Sequence, residues 1–145
     1  LRYKMFLVIA ITSVFSLIIV FSNQNSVMLS KIKDHKITVQ KHSGEGDSYE
    51  DFNEITEQKK VDKAIKIVKN NDWNKIKVEM SRYPDYRFQF SFKDDDNSEG
   101  KIASYSLWVN ANGDHLQIVT DSGNYVKLDE KNSKILFEIL TDKSK

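Results

Sequence analysis

Cysteine is missing from all 145 residues of this chain, which removes disulfides, thiolate nucleophiles and thiolate metal sites from consideration. Within these residues it also removes a lipid-modified cysteine of the bacterial lipoprotein type. Proline occurs once, as Pro84, and belongs in a loop or at a sheet edge because it cannot donate to a ladder. An excess of either charge is missing too. The chain holds 22 basic and 21 acidic residues, and Arg2 and Lys4 are the only charged ones among the first thirty. The remainder is therefore close to neutral, without the basic footprint of a nucleic-acid-binding surface.

What is present begins with "MFLVIAITSVFSLIIVF", seventeen uncharged residues at 5–21 behind Arg2 and Lys4. A basic start and an apolar run form the arrangement of an export signal. The run exceeds the usual signal core of roughly 7–15 residues. As a helix it would reach about 25 Å, somewhat short of a hydrocarbon core of roughly 30 Å. Val20-Phe21-Ser22 is a weak cleavage site. An uncleaved anchor over residues 1–22 is expected, with a cleaved signal peptide as the alternative. Residues 23–35 read as a stalk, and residues 36–145 as one extracytoplasmic domain. Lys31, Lys33 and Lys36 beyond the run blur the positive-inside bias.

The domain's hydrophobic pattern is mostly that of strands. "KITVQKH" puts Ile37 and Val39 on one face. "SGEGDSYEDFNEI" reads as an acidic, glycine-containing loop. A helix is expected from Thr56, with Val61, Ala64, Ile65 and Val68 as its apolar stripe. "KIKVEM" alternates through Ile76, Val78 and Met80. "YRFQFSF" sends Tyr86, Phe88, Phe90 and Phe92 inward, while Arg87, Gln89 and Ser91 face away. "IASYSLWV" sends Ala103, Tyr105, Leu107 and Val109 inward, with Trp108 outward.

Asn112-Gly113 is a strong hairpin signal. It sets Val109 against Leu116 and Leu107 against Ile118, so the apolar faces agree. Ser122-Gly123-Asn124 reverses the chain again, and a three-residue loop keeps Val126 and Leu128 inward. Asp129 caps a last helix with Ile135, Leu136, Ile139 and Leu140 as its stripe. The expected order is β-α-β-β-β-β-α, with room for a further short strand. The class is α+β: an antiparallel sheet of about five to six strands with two helices on one face, preceded by an N-terminal hydrophobic helix.

"YPDYRFQFSF", "YSLWVNANGDHLQIV" and "NYVKLDEKNSKILFEIL" resemble the YhfM-like group of small exported Bacillus proteins, over roughly residues 36–141. The resemblance implies an extracytoplasmic domain behind a signal or lipid anchor. It brings no catalytic signature and no functional residue.

Candidate chemistry is sparse. His35, His42 and His115 fit no metal-ligand spacing. The carboxylates of "DDDNSEG" (residues 94–100) fail the EF-hand pattern, since its glycine and glutamate positions fall on Glu99 and Tyr105. "HSGEG" lacks the helix that a phosphate-cradling loop needs. No G-x-S-x-G occurs. Trp108 stands out on the polar face. If Phe92 pairs with Ala103, Arg87 lies opposite Trp108 in cation–π range, and Arg87, Gln89, Trp108 and Gln117 form an interaction patch. Otherwise Trp108 covers the sheet or sits beneath the stalk.

The function expected is a membrane-tethered, non-enzymatic domain that binds a protein, peptide or envelope component through an open sheet face. The alternative is a soluble factor or inhibitor secreted after signal cleavage. The partners expected are the membrane, through residues 5–21, and an unidentified envelope component; no nucleic acid and no cofactor are expected.

Overall fold

The computed structural model describes residues 35–74, 78–93 and 99–142. The apolar run at 5–21, the stalk up to residue 34, Ile76 and the first residues of "DDDNSEG" lie outside them. Among the described residues no helix is long and apolar enough to cross a membrane.

Six strands form one antiparallel sheet. In chain order they are β1 (His35–His42), β2 (Tyr49–Ile55), β3 (Tyr86–Lys93), β4 (Glu99–Val109), β5 (Leu116–Thr120) and β6 (Tyr125–Lys127). Helix α1 (Gln58–Lys69) follows β2, and α2 (Glu130–Thr141) closes the described chain. The strands lie in the order β2-β1-β3-β4-β5-β6. The α+β class and the antiparallel sheet with two helices agree with the sequence reading.

The core occupies one face of the sheet. Ile37, Val39, Phe88, Phe90, Leu107, Leu116, Ile118 and Val126 pack in a single cluster with Val61, Ala64, Val68, Leu136, Ile139 and Leu140 of the helices. The stripes differ slightly from expectation: Ile67 is buried while Ile65 and Ile135 are only partly covered. Phe88 stacks on Tyr105 at a centroid distance of 5.0 Å.

Polar bonds fasten α2 to this face. Asp129 caps the helix by accepting from the Asn132 N–H at 2.7 Å. The buried Ser133 hydroxyl accepts from the Leu116 N–H at 2.9 Å, which satisfies a donor at the start of β5. The Asn53 amide donates to the carbonyls of Leu140 and Asp142, holding the helix end against β2.

The hairpin reading holds in register: Val109 pairs with Leu116 and Leu107 with Ile118. The turn itself begins at Asn110, whose carbonyl accepts from the Gly113 N–H at 2.9 Å. Gly113 takes the positive φ of 76° that other residues adopt only at a cost. Asp121-Ser122-Gly123 forms a three-residue loop before β6, closed by the Thr120 N–H on the Asn124 carbonyl.

Three expectations need correction. The "SGEGDSYEDFNEI" loop ends in a strand, β2. Its pairing with β1 jumps from Val39↔Asn53 to Gln40↔Asp51, so Phe52 is a bulge and the period of two is lost. "KIKVEM" does not supply a strand at Val78–Met80; these residues lie in an irregular segment. Upstream of it, Asn74 bridges to Tyr125 on the outer edge of β6. Finally, Phe90 rather than Phe92 pairs with Ala103. From Tyr86 to Phe90 the shift is two residues, which keeps these side chains on their faces, so hydrophobic alternation could not distinguish the two registers; beyond Phe90 the pairing slips by one more residue, to Ser91↔Lys101.

The fold predicts an asymmetric response to truncation. Leu107→Ala removes a fully buried side chain and should cost about 2–5 kcal/mol in chemical denaturation. Gln89→Ala, on the other face, should cost under about 0.5 kcal/mol. Equal losses would mean that both faces are packed alike.

Candidate functional site

Among the described residues both helices pack on the core face of the sheet, and the register decides which side chains meet on the other. Gln40 pairs with Arg87, and Arg87 with Ser106. Thr38 pairs with Gln89, and Gln89 with Ser104. Two cross-strand rows of polar side chains therefore lie next to each other across β1, β3 and β4. Together with Asp51 and Asp121 they line a concave groove of about 580 Å³. Phe88 and Tyr105, whose rings pack with the core, border it. The Gln40 amide donates to the Asp51 carboxylate at 3.0 Å.

Arg87 is the fixed cation of this groove. Its guanidinium lies 3.8 Å from the centre of the Tyr49 ring, within cation–π range. It also donates to the Asp47 carboxylate at 2.6 Å. Tyr49 is held in turn by its hydroxyl, which donates to the Pro84 carbonyl at 2.9 Å. The loop carrying Asp47 is organised by His42. The Gly44 N–H donates to Nδ1 at 3.1 Å, so in the neutral ring Nε2 carries the proton and donates to the Gly46 carbonyl at 2.7 Å. Gly44 and Gly46 have φ of 95° and 52°, and this backbone path is what lets one imidazole bridge both.

The expected patch of Arg87, Gln89, Trp108 and Gln117 is split by the structure. Arg87 and Gln89 sit together in the groove. Trp108 pairs with Gln117 farther along the face, and Arg87 stacks on Tyr49 instead of Trp108. Trp108 does point away from the core, yet it is only 6% exposed. The segment 78–84 covers it, and its indole N–H donates to the Arg82 carbonyl at 2.9 Å. Arg82 anchors that segment through the Val109 carbonyl and Asp85, and Asp85 accepts from the Val109 N–H at 2.7 Å. Val78, Met80, Tyr83, Trp108 and Val119 line a second, shallow depression. It adjoins the groove, because Ser106 of the groove pairs with Val119. Tyr83 is 53% exposed, and its ring stacks on His42 at 5.6 Å.

Sequence reasoning missed Asp47, Tyr49 and Asp51, because their segment read as a loop. The bulge at Phe52 interrupts the period of two that would have marked the strand. The three histidines stay apart: His35 opens β1, His42 holds the loop, and His115 meets the Leu128 carbonyl at 2.9 Å. Among the described residues no group of three or more His, Asp or Glu is placed to hold a metal.

Two tyrosines, Tyr105 on the groove's border and Tyr49 against Arg87, have phenols held above the ordinary range. Burial raises Tyr105, with Asp121 adding to it. Burial also raises Tyr49, against the opposing pull of Arg87.

Over residues 30–145 the chain matches the sequence profile of the YhfM protein family, and it belongs to that family. No curated protein matches it. The fold resembles the crystal structure of a thioesterase-like protein from Clostridium sporogenes, with a TM-score of 0.51 and 21% identity, over 74% of this chain and 95% of that one. The likeness concerns the fold. It nevertheless corrects the expectation of a non-enzymatic domain: a protein described as thioesterase-like is built on this fold, so a missing sequence motif does not exclude an enzyme.

Two measurements check this geometry. In a Trp73→Phe variant the remaining indole, Trp108, should be strongly protected from acrylamide; quenching as fast as a free indole would refute the cover by residues 78–84. Raised tyrosine pKa values mean that the unfolded chain loses phenolic protons first. Stability should therefore be intact below about pH 10 and fall as the pH rises further, as alkaline melting curves would show. Unchanged melting up to pH 11 would contradict it.

Proposed function

We propose that this YhfM-family chain is a membrane-tethered, extracytoplasmic domain that binds an envelope component through the groove on its open sheet face. One observation carries the reading. The rows Gln40–Arg87–Ser106 and Thr38–Gln89–Ser104 place six polar side chains side by side in a concavity on the face opposite the core. A groove of this size lies within the roughly 300–1,000 Å³ of ligand sites. Arg87 is also held in place before any ligand arrives, which lowers the ordering cost of binding. Binding is the step such a groove performs, whether or not chemistry follows. The apolar run at 5–21 behind Arg2 and Lys4 supports the tether, with the N-terminal hydrophobic helix as its form.

A photo-crosslinking residue placed at Gln89 in the full chain, expressed in its host, should give an adduct with an envelope component. The same residue at Lys134, exposed on α2, should give none. Equal adducts at both positions, or none at Gln89, would overturn the binding face. Protease added to intact protoplasts should remove the domain. Mature protein beginning at Asn23 in the medium would overturn the tether.

A further inference from the structure

We infer that the ligand of the open-face groove is a neutral, hydroxyl-rich glycan chain, an inference that rests on the binding role proposed above. The lining chemistry excludes the other classes in turn. An acyl chain or drug-like ligand needs a mostly apolar pocket, whereas eight of the ten lining side chains here are amides, hydroxyls, carboxylates or a guanidinium, with Phe88 and Tyr105 as the aromatic ones. An anionic ligand would meet two carboxylates, Asp51 and Asp121, and would have to compete with Asp47 for Arg87. A cationic ligand would meet the Arg87 guanidinium among the same side chains, and Asp51 is already engaged by the Gln40 amide. A neutral ligand that both donates and accepts hydrogen bonds is repelled by neither sign of charge.

Sugar hydroxyls have that character. Each can donate to a carboxylate or side-chain oxygen and accept from an amide or guanidinium N–H. The groove alternates these roles in space. Arg87 and Gln89 supply planar donors from β3, the bonded pair of Gln40 and Asp51 keeps a second amide N–H and further carboxylate lone pairs, Asp121 adds a carboxylate, and the Thr38, Ser104 and Ser106 hydroxyls both donate and accept. Of the five donors on a guanidinium, the Asp47 bond uses one. Stacking on Tyr49 leaves the planar fork in a fixed orientation.

The neighbouring depression supplies the other half of a sugar site. A pyranose has apolar C–H faces as well as polar edges, and aromatic rings with one wet side suit such amphipathic partners. Tyr83 presents a half-exposed ring, stacked on His42, beside the buried indole of Trp108. A glycan of more than one ring would lay its polar edges in the groove and a C–H face on Tyr83.

The test uses the full 145-residue chain in a sugar-free detergent. It is titrated calorimetrically with cellotetraose and with chitotetraose, then mixed with insoluble purified peptidoglycan in a pelleting assay. At least one oligosaccharide should bind saturably, and competition with the pelleted polymer would show whether free and wall-bound glycan share the site. Arg87→Ala, Gln89→Ala and Tyr83→Ala should each weaken binding about tenfold, while Lys134→Ala should not. Ser104→Tyr, which fills the groove without removing a charge, should abolish binding; thermal melts of each variant confirm folding.

Absence of saccharide binding, or binding indifferent to Arg87, Gln89 and Ser104, overturns the inference. If the Gln89 crosslink in cells then identifies a protein or peptide, the binding role survives and only the ligand class is wrong. If that crosslink is also absent, both readings fall.

Discussion

Strand β3 is bonded along both sides, to β1 through His35↔Phe92 to Lys41↔Tyr86 and to β4 through Tyr86↔Leu107 to Phe90↔Ala103. A strand held between two others cannot slip without breaking both ladders, and a one-residue slip would turn Phe88 and Phe90 out to water. This constraint fixes the core and the groove together. The same register that drives Phe88 and Phe90 beneath the helices aligns Arg87 and Gln89 with their neighbours on the other face. The polar rows are thus as firmly placed as the core, although they contribute little to its stability.

Elements whose information is local were legible in the sequence. The alternation of "YRFQFSF" assigned the faces of β3 from Arg87 to Phe90, although Ser91, read as outward, is buried and Phe92 lies outside the core cluster; Asn112-Gly113 with its flanking residues set the β4–β5 register. Asp129 announced the start of α2. What stayed hidden depends on distant parts of the chain. The bulge at Phe52 removed the period that would have marked β2. Up to Phe90 the β3–β4 register differed from expectation by two residues, a change to which face alternation is blind. Trp108 had its direction read correctly, but its cover comes from residues 78–84, which do not form the strand that their pattern suggested. The groove followed these elements: Arg87 and Gln89 were found as outward residues of a legible strand, while Tyr49, Asp47 and Asp51 were lost with β2.

Membership of the YhfM family and the likeness to a thioesterase-like protein bear on different levels. The first places the chain among its relatives; the second describes how its backbone is arranged. Neither assigns a ligand, because function resides in the side chains a fold presents rather than in the fold. In this chain those side chains are an arginine steadied by an aromatic ring, two amides, three hydroxyls and two carboxylates in a shallow depression.

The two ends of the sheet carry a consequence for self-association. An open strand edge is a template for a second copy. Here β2 breaks its ladder at Phe52 and carries the charged side chains of Glu50, Asp51 and Glu54 along the outermost strand, which a pairing second copy would have to bury or bring together. At the opposite end β6 spans only Tyr125–Lys127, and Asn74 exchanges both backbone hydrogen bonds with Tyr125. Among the described residues neither end offers a long, flat ladder, which works against joining of copies into a continuous sheet.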